Sequence, residues 1–116
     1  MTYPLTFHTT RFIPQGSAGC VRVFLVPVIF IRPEYKNDKG LYAHELTHVK
    51  QAWRSIFPPI YAIRYLMDKS YRLKCEVEAY KKQLEFNPER RLTYAKFIAE
   101  RYDLNISMTE AANLLT

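Results

Sequence analysis

Two histidines and a glutamate in the segment 41–53 have the types and spacing that suit metal chemistry. His44 and His48 are four residues apart, so on an α-helix they lie one turn apart on one face, where two imidazoles can bind one ion. Glu45 follows His44 at about 100° around the helix, and its carboxylate can take a proton from a water on that ion. The arrangement His-Glu-x-x-His is typical of zinc-binding helices. We therefore expect Zn²⁺ at His44 and His48, with Glu45 as general base.

The element that must position these residues is a helix, and apolar residues spaced at i, i+4, i+7 and i+11 predict one. They form a separate stripe that we expect to anchor the helix in the core: Tyr42, Leu46, Val49 and Trp53. Asn37-Asp38, with Gly40 nearby, indicates where the helix begins, and Pro58-Pro59 stops the chain after it. The alternative is a chance motif, in which both histidines are ordinary surface or core residues.

A catalytic zinc site usually has three protein ligands, so a third residue must come from elsewhere. The remaining histidine, His8, lies far upstream and is expected to be an ordinary strand residue. Cys20 and Cys75 do not form a C-x-x-C pair. A carboxylate is therefore the expected third ligand.

The segment 69–86 predicts a second helix and offers two glutamates. Its apolar stripe consists of Leu73, Val77, Tyr80 and Leu84. At about 100° per residue, Glu76 lies roughly 70° from the centre of that stripe and Glu78 roughly 130° from it. This phase favours Glu76 as the third ligand and turns Glu78 outward with Lys81, Lys82 and Glu85. The alternative is a boundary glutamate paired with a nearby lysine or arginine.

These residues carry a resemblance to a known family. His44-Glu45-Leu46-Thr47-His48, followed on a later helix by Glu76-Val77-Glu78-Ala79, resembles the gluzincin metallopeptidases, and the short chain is similar to the minimal gluzincins called minigluzincins. The resemblance covers roughly residues 20 to 86. It implies a minimal zincin-like fold, zinc at His44, His48 and Glu76, and a water activated by Glu45.

One position departs from the family pattern. Thermolysin-like members carry an Asp four residues after the third ligand, where it holds the first histidine, and here that position is Tyr80. A phenol can also hydrogen-bond an imidazole, so we expect Tyr80 to support the site. Candidate donors to an oxyanion are Tyr61, Tyr65, Tyr71, Tyr80 and Arg72, and the sequence does not choose among them.

Length and charge limit the function classes. The 116 residues suit one domain, spanning 1–116, and 48% hydrophobic residues are ample for a core. The net charge of +6 is spread from Arg11 to Arg101 among acidic residues and indicates a solvated basic surface. A nucleic-acid-associated protein of SprT-like type would need an aromatic-basic motif or a zinc ribbon, and neither is visible, so we expect no nucleic-acid partner.

The cysteines and the N-terminus predict a cytoplasmic protein. Cys20 and Cys75 do not indicate a disulfide framework, and no secretory signal is visible at the N-terminus. The apolar run 20–32 is shorter than the roughly 20 apolar residues that a bilayer span needs and lies beside Arg22 and Arg32. We therefore expect no membrane partner.

The remaining segments predict an α+β fold. Residues 3–13 suggest one or two short strands, and 20–32 a strand or strand pair. Pro27 cannot donate to a ladder, so we expect an edge or a bulge there. Residues 21–32 would then accept an extended peptide substrate by strand addition, and the alternative is an edge that is merely tolerated. Helices are expected at 60–68 and at 69–86, either as two helices or as one continuous helix. Further helices are expected after Asn87-Pro88 and from Ser107 to Leu115, the latter behind a capping box. The sheet, antiparallel or mixed, would pack on four to five helices.

These interpretations together predict a zinc-dependent peptidase with Glu45 as general base. The alternative from another class is a zinc-stabilised interaction module with weak or no turnover. The substrate and the oligomeric state are not encoded in any motif of the sequence.

Overall fold

A computed structural model describes residues 4–116 and confirms the α+β class. The strands in this range are β1 (Thr6–His8), β2 (Gly19–Val23) and β3 (Pro27–Ile31). The helices are α1 (Lys39–Arg54), α2 (Pro58–Met67), α3 (Lys69–Leu84), α4 (Arg91–Arg101) and α5 (Met108–Leu114). Short 3-10 turns at Pro33–Tyr35 and Pro88–Arg90 lead into α1 and α4. Residue 3, which the sequence assigned to the first strand region, lies outside the described residues.

The sheet is mixed, with strand order β1-β3-β2. β1 pairs parallel with β3, and β2 pairs antiparallel with β3 as the predicted strand pair. The prediction that 21–32 forms a sheet edge is wrong for β3, which is central and fully buried. Within the segment 21–32, the sheet edge is therefore limited to the residues of β2.

Pro27 fits a central strand because of its place in the ladder. The Arg32 N–H donates to the Ala18 carbonyl at 2.9 Å, and bonded pairs alternate along an antiparallel ladder. Pro27 therefore faces Val23 in a non-bonded pair and loses no bond to β2. By the same alternation, the polar backbone groups of Gly19, Val21 and Val23 point to the free edge of β2.

Side-chain caps set several helix starts. Asp38 accepts from the Leu41 N–H at 3.0 Å and begins α1, as the sequence predicts. Asp68 ends α2 and accepts from the Tyr71 N–H at 3.1 Å, so α2 and α3 are separate helices. Pro58 opens α2 as well as ending the preceding turn. The predicted capping box of Ser107 and Glu110 is confirmed at α5.

The core places α1 between the sheet and α3. Ile29 and Ile31 of β3 pack with Leu41 and Val49 of α1. A second cluster joins α3, α4 and α5 around Tyr80, Tyr94 and Ile98. The prediction that Trp53 anchors α1 in the core is wrong, because its side chain is 56% exposed. Within residues 4–116, no helix has the length and apolar character needed to cross a membrane.

Candidate metal centre

Two neighbouring helices bring three ligand-type atoms together. His44 and His48 lie one turn apart on α1, with their Nε2 atoms 3.2 Å from each other. Glu76 of α3 places Oε1 3.4 Å from the His44 Nε2 and 3.3 Å from the His48 Nε2. The sequence-predicted ligand residues are therefore brought to one point between α1 and α3.

The three atoms form a nearly equilateral triangle that fits a tetrahedral ion. Zinc–nitrogen and zinc–oxygen bonds of about 2.0–2.1 Å place tetrahedral ligand atoms about 3.3 Å apart, and the three observed separations run from 3.2 to 3.4 Å. The Glu76 Oε1 atom is buried and has no hydrogen-bond partner within residues 4–116. An acceptor in that position suits a cation, so the residues present fit a metal ion.

The charges in the triangle also favour a cation. Burial tends to lower the pKa of His48, but the Glu76 carboxylate beside it outweighs burial and raises the pKa to about 9. Burial tends to raise the pKa of Glu76, yet the His48 charge and the two imidazole contacts hold it well below its usual range. The buried carboxylate therefore stabilises positive charge at the imidazole nitrogens, whether a proton or a metal ion supplies it.

Glu78, the rejected ligand candidate, does not join the triangle. Its carboxylate accepts from Gln51 Nε2 at 2.8 Å and from Arg54 at 2.6 Å. Glu76 is 1% exposed. Glu76 is therefore more buried than Glu78, as the helical phase predicts. Glu78 points outward as predicted, with its side chain 43% exposed, and it also contacts Gln51 behind the site.

Glu45 lies beside the ligand triangle. His44, Glu45 and His48 are buried, and they offer ligand-type atoms that all lie within 4.8 Å of one another. Burial raises the pKa of Glu45, and the nearby Glu76 raises it further, against the lowering effect of His44 and His48. A higher pKa makes a carboxylate a better proton acceptor.

Gly19 makes room for the Glu45 carboxylate. A Cβ atom at Gly19 would lie 3.1 Å from Glu45 Oε2 and 3.0 Å from the Phe30 carbonyl oxygen. The start of the edge strand β2 is thus in contact with the proposed base. The sequence gives no signal for this arrangement, because Gly19 and Glu45 come together only through the tertiary fold.

Gln51 is a functional residue that sequence reasoning missed. Its Oε1 lies 2.9 Å from His48 Nδ1, and its Nε2 donates to the Cys75 carbonyl at 2.9 Å. The Tyr61 hydroxyl donates to the same Gln51 oxygen at 3.3 Å. Such partners fix the ring orientation of a ligand histidine. The sequence did contain a signal for this contact. Gln51 follows His48 by three residues, so the two side chains lie on the same face of α1.

Tyr65 holds the carboxylate ligand. Its hydroxyl donates a short hydrogen bond to Glu76 Oε2, the oxygen that does not face the two histidines. Burial raises the pKa of Tyr65, and the Glu76 charge raises it further, so the phenol stays a donor. Tyr65 was one of five oxyanion candidates, and the structure places it on the third ligand instead.

Tyr80 lies beside His44 but does not hydrogen-bond it. The two rings meet edge to face with centroids 4.3 Å apart, and the Tyr80 hydroxyl pairs with the Tyr102 hydroxyl at 2.7 Å. The expected bond from Tyr80 to an imidazole is therefore absent, since α3 aims the hydroxyl past the ring toward Tyr102. His44 Nδ1 is buried and finds no hydrogen-bond partner in the described chain.

The sequence also offered Arg72 as a residue that would support the ligands or the oxyanion, and the structure places its contacts elsewhere. Within residues 4–116, its buried guanidinium donates to backbone carbonyls, those of Tyr65, Leu66, Tyr102 and Asp103. Tyr71 and His8, which were also considered from the sequence, do not belong to the triangle either. Tyr71 lies under the Arg64 guanidinium at 4.0 Å, and His8 is exposed on β1, two strands away from β2.

A cleft of about 530 Å³ opens beside the site. His44 and Glu45 line it from α1, Gly19 from β2, and Tyr80 and Tyr102 from the helical side. His48 and Glu76 lie behind this wall. The arrangement gives an incoming molecule access to the proposed base and one ligand histidine.

The comparisons with known proteins give no relative for this chain. No protein-family model, no curated protein and no solved structure matches it.

Proposed function

We propose that this protein is a zinc-dependent peptidase of the gluzincin type, with a minimal zincin-like fold. The observation that carries the proposal is the triangle of His44, His48 and Glu76 atoms with the buried Glu45 carboxylate beside it. Two imidazoles and one carboxylate suit Zn²⁺ better than a hard, oxygen-preferring ion. Three protein ligands leave a fourth position, as catalytic zinc sites require.

Each residue then has a role in hydrolysis. Bound zinc supplies Lewis-acid chemistry, which makes water more acidic and polarises a carbonyl group. Glu45 takes the proton from the attacking water and delivers it to the leaving amine. Tyr80 and Tyr102 present a hydroxyl pair at the cleft wall and are the proposed donors to the developing oxyanion.

The free edge of β2 is the proposed substrate-binding strand. Gly19, Val21 and Val23 direct backbone polar groups away from β3, and Gly19 leaves room for the Glu45 carboxylate next to this edge. An extended peptide that pairs with this edge passes next to the base. This narrows the sequence-based expectation of 21–32 to β2 alone.

The two thiols bear on the predicted compartment. Cys20 and Cys75 are free in the described structure, and burial raises the pKa of each thiol to about 11. Both are therefore protonated and unreactive at neutral pH. This supports a reducing compartment, and a cytoplasmic location remains the prediction.

The test combines metal analysis with turnover. Purified protein should contain about one zinc per chain, measured by elemental analysis. Glu45→Gln should retain that zinc and lose at least about 100-fold in cleavage of a peptide library. Glu34→Gln is the matched control, because Glu34 lines the same cleft away from the triangle. Wild-type protein with full zinc and no cleavage of any library peptide would contradict the enzyme.

The alternative function is a zinc-stabilised interaction module. The observation that favours it is the buried His44 Nδ1, which no carboxylate or carbonyl within residues 4–116 fixes. In that case Glu45→Gln changes neither the metal content nor the thermal stability, and a partner bound at β2 is retained. Removal of zinc by a chelator would instead lower the melting temperature by many degrees.

A further inference from the structure

Eight apolar side chains lie exposed where β2 turns into β3 and where α1 passes into α2. We call this surface the apolar corner. It consists of Phe24, Leu25, Val26, Trp53, Ile56, Phe57, Ile60 and Ile63. Large contiguous apolar patches on a protein surface mark sites of interaction. We propose that the apolar corner inserts into the surface of an anionic membrane.

The corner is continuous. Val26 and Trp53 line one groove, Ile56 and Ile60 line another, and Arg54 borders both. Phe24 and Leu25 belong to the same turn as Val26, since the Phe24 N–H donates to the Val26 carbonyl at 3.1 Å. The two parts of the corner are therefore neighbours on one side of the molecule.

Helix α2 has two apolar faces, and one of them has no partner in the fold. Tyr61 and Tyr65 face inward to the metal centre. Ile60 and Ile63 face outward, with exposed fractions of 54% and 63%. The outward isoleucines lie one turn apart, as in helices that lie flat in a membrane interface.

Charge identifies the occupant. The two grooves of the corner are lined by five basic residues and one acidic residue: Lys50, Arg54, Arg64, Lys74, Lys82 and Glu78. Arg54, Arg64 and Lys82 pair with the carboxylates of Glu78, Asp68 and Glu85. Lys50 and Lys74 have no such pair within residues 4–116 and supply the positive charge. Lysine and arginine beside exposed tryptophan, phenylalanine and isoleucine is the composition of peripheral membrane-binding surfaces. A second copy of this chain would bring the same positive charge against itself.

Surface binding needs no membrane-spanning helix, and residues 4–116 contain no helix long and apolar enough to be one. The sequence-based expectation of no membrane partner rested on the short apolar run and on basic residues spread as a solvated surface. We expect the corner instead to bind in the plane of the membrane interface, where apolar side chains enter the membrane and basic side chains contact lipid headgroups.

Trp53 provides a direct probe, because it is the only tryptophan of the chain and lies in the corner. Zinc-loaded full-length protein is mixed with vesicles of phosphatidylcholine alone, or with about 30% phosphatidylglycerol added. Binding is measured by co-flotation and by the emission maximum of Trp53. We expect a blue shift and co-flotation with the anionic vesicles, both weakened in about 0.5 M salt.

Matched variants test which surface binds. Ile60→Ser with Ile63→Ser should weaken partitioning into anionic vesicles by at least about tenfold. Leu92→Ser with Leu114→Ser is the control, because it removes exposed apolar side chains of α4 and α5. Lys50→Gln with Lys74→Gln should weaken binding at least about fivefold and reduce its salt dependence.

Three results would overturn the proposal. The first is no co-flotation with either vesicle. The second is equal binding to neutral and anionic vesicles, which would remove the role of charge. The third is a protein dimer in solution that Ile60→Ser with Ile63→Ser dissociates, without any vesicle binding, which would assign the corner to a second copy. Vesicle binding is read without substrate, so it is independent of peptidase activity.

Discussion

The two histidines of the metal centre are held very differently. On the His48 side, Gln51 contacts Nδ1 at 2.9 Å, Tyr61 supports Gln51, and Tyr65 holds the Glu76 carboxylate. On the His44 side, the ring only rests against Tyr80, and its Nδ1 lacks a hydrogen bond within the described residues.

The difference follows from the elements that surround each residue. His48 and Glu76 face α2, which supplies two tyrosines, whereas His44 faces the cleft. A ligand whose second nitrogen is hydrogen-bonded is fixed in tautomer and orientation. The site therefore has a fixed side built by α1, α2 and α3, and a less constrained side where a substrate would enter.

Loss of the third ligand should have the largest effect. Glu76→Gln removes the charge at the triangle, and we expect zinc affinity to fall on the order of 1,000-fold, because partners of ligands alone contribute 10- to 100-fold. Glu78→Gln is the control and should change the affinity by less than about threefold. Competition with a zinc-binding dye measures both. A stronger effect of Glu78→Gln would move the ligand assignment to the other glutamate.

The fixed side should also make zinc-stripped protein sensitive to alkali. The pKa of His48 is raised from 6.5 to about 9, so its stabilisation is complete below about pH 6.5 and is lost as the pH rises through about 9. We expect the free energy of unfolding to fall by roughly 3 kcal/mol over that range. Denaturant titrations at a series of pH values measure it. Glu76→Gln should flatten the profile, and an unchanged profile in that variant would contradict the pairing.

The hydrogen bond on Glu76 should have a smaller effect. Tyr65→Phe removes the hydroxyl that orients the carboxylate, and we expect zinc affinity to fall about tenfold. Tyr71→Phe removes a hydroxyl from the neighbouring tyrosine, which stacks edge-on against Tyr61, and should leave affinity unchanged. Equal losses in the two variants would indicate a general packing effect rather than control of the ligand.

The His44 side should give the smallest effect. Tyr80→Phe keeps the ring against His44 and removes a hydroxyl that bonds Tyr102, so zinc affinity should change by less than about threefold. Turnover should fall more than affinity, since the hydroxyl pair lines the cleft. A loss of zinc comparable to that of Tyr65→Phe would show that the two sides are equally constrained.

The sequence predicts the parts of the site that depend on helical periodicity. His44, Glu45 and His48 are close because they share one helix, and Glu76 is distinguished from Glu78 by its phase on α3. Asp38 and the Ser107–Glu110 box mark helix starts because capping is a local interaction. These features need no knowledge of how the elements pack.

Contacts between elements could not be predicted from the periodicity of the sequence. The role of Arg72 depends on carbonyls up to 31 residues away, and the central position of β3 depends on β1 joining it from the other side. Trp53 follows the apolar stripe of α1, yet the fold leaves its side chain 56% exposed. Periodicity gives the face of a helix, and only the tertiary fold decides what lies opposite.

Arg72 ties the last turn of α2 to the connection between α4 and α5. Its guanidinium binds the carbonyls of Tyr65 and Leu66 on one side and those of Tyr102 and Asp103 on the other. Neither segment can open without breaking bonds to the other. The amides of both should therefore exchange with solvent as one cooperative unit.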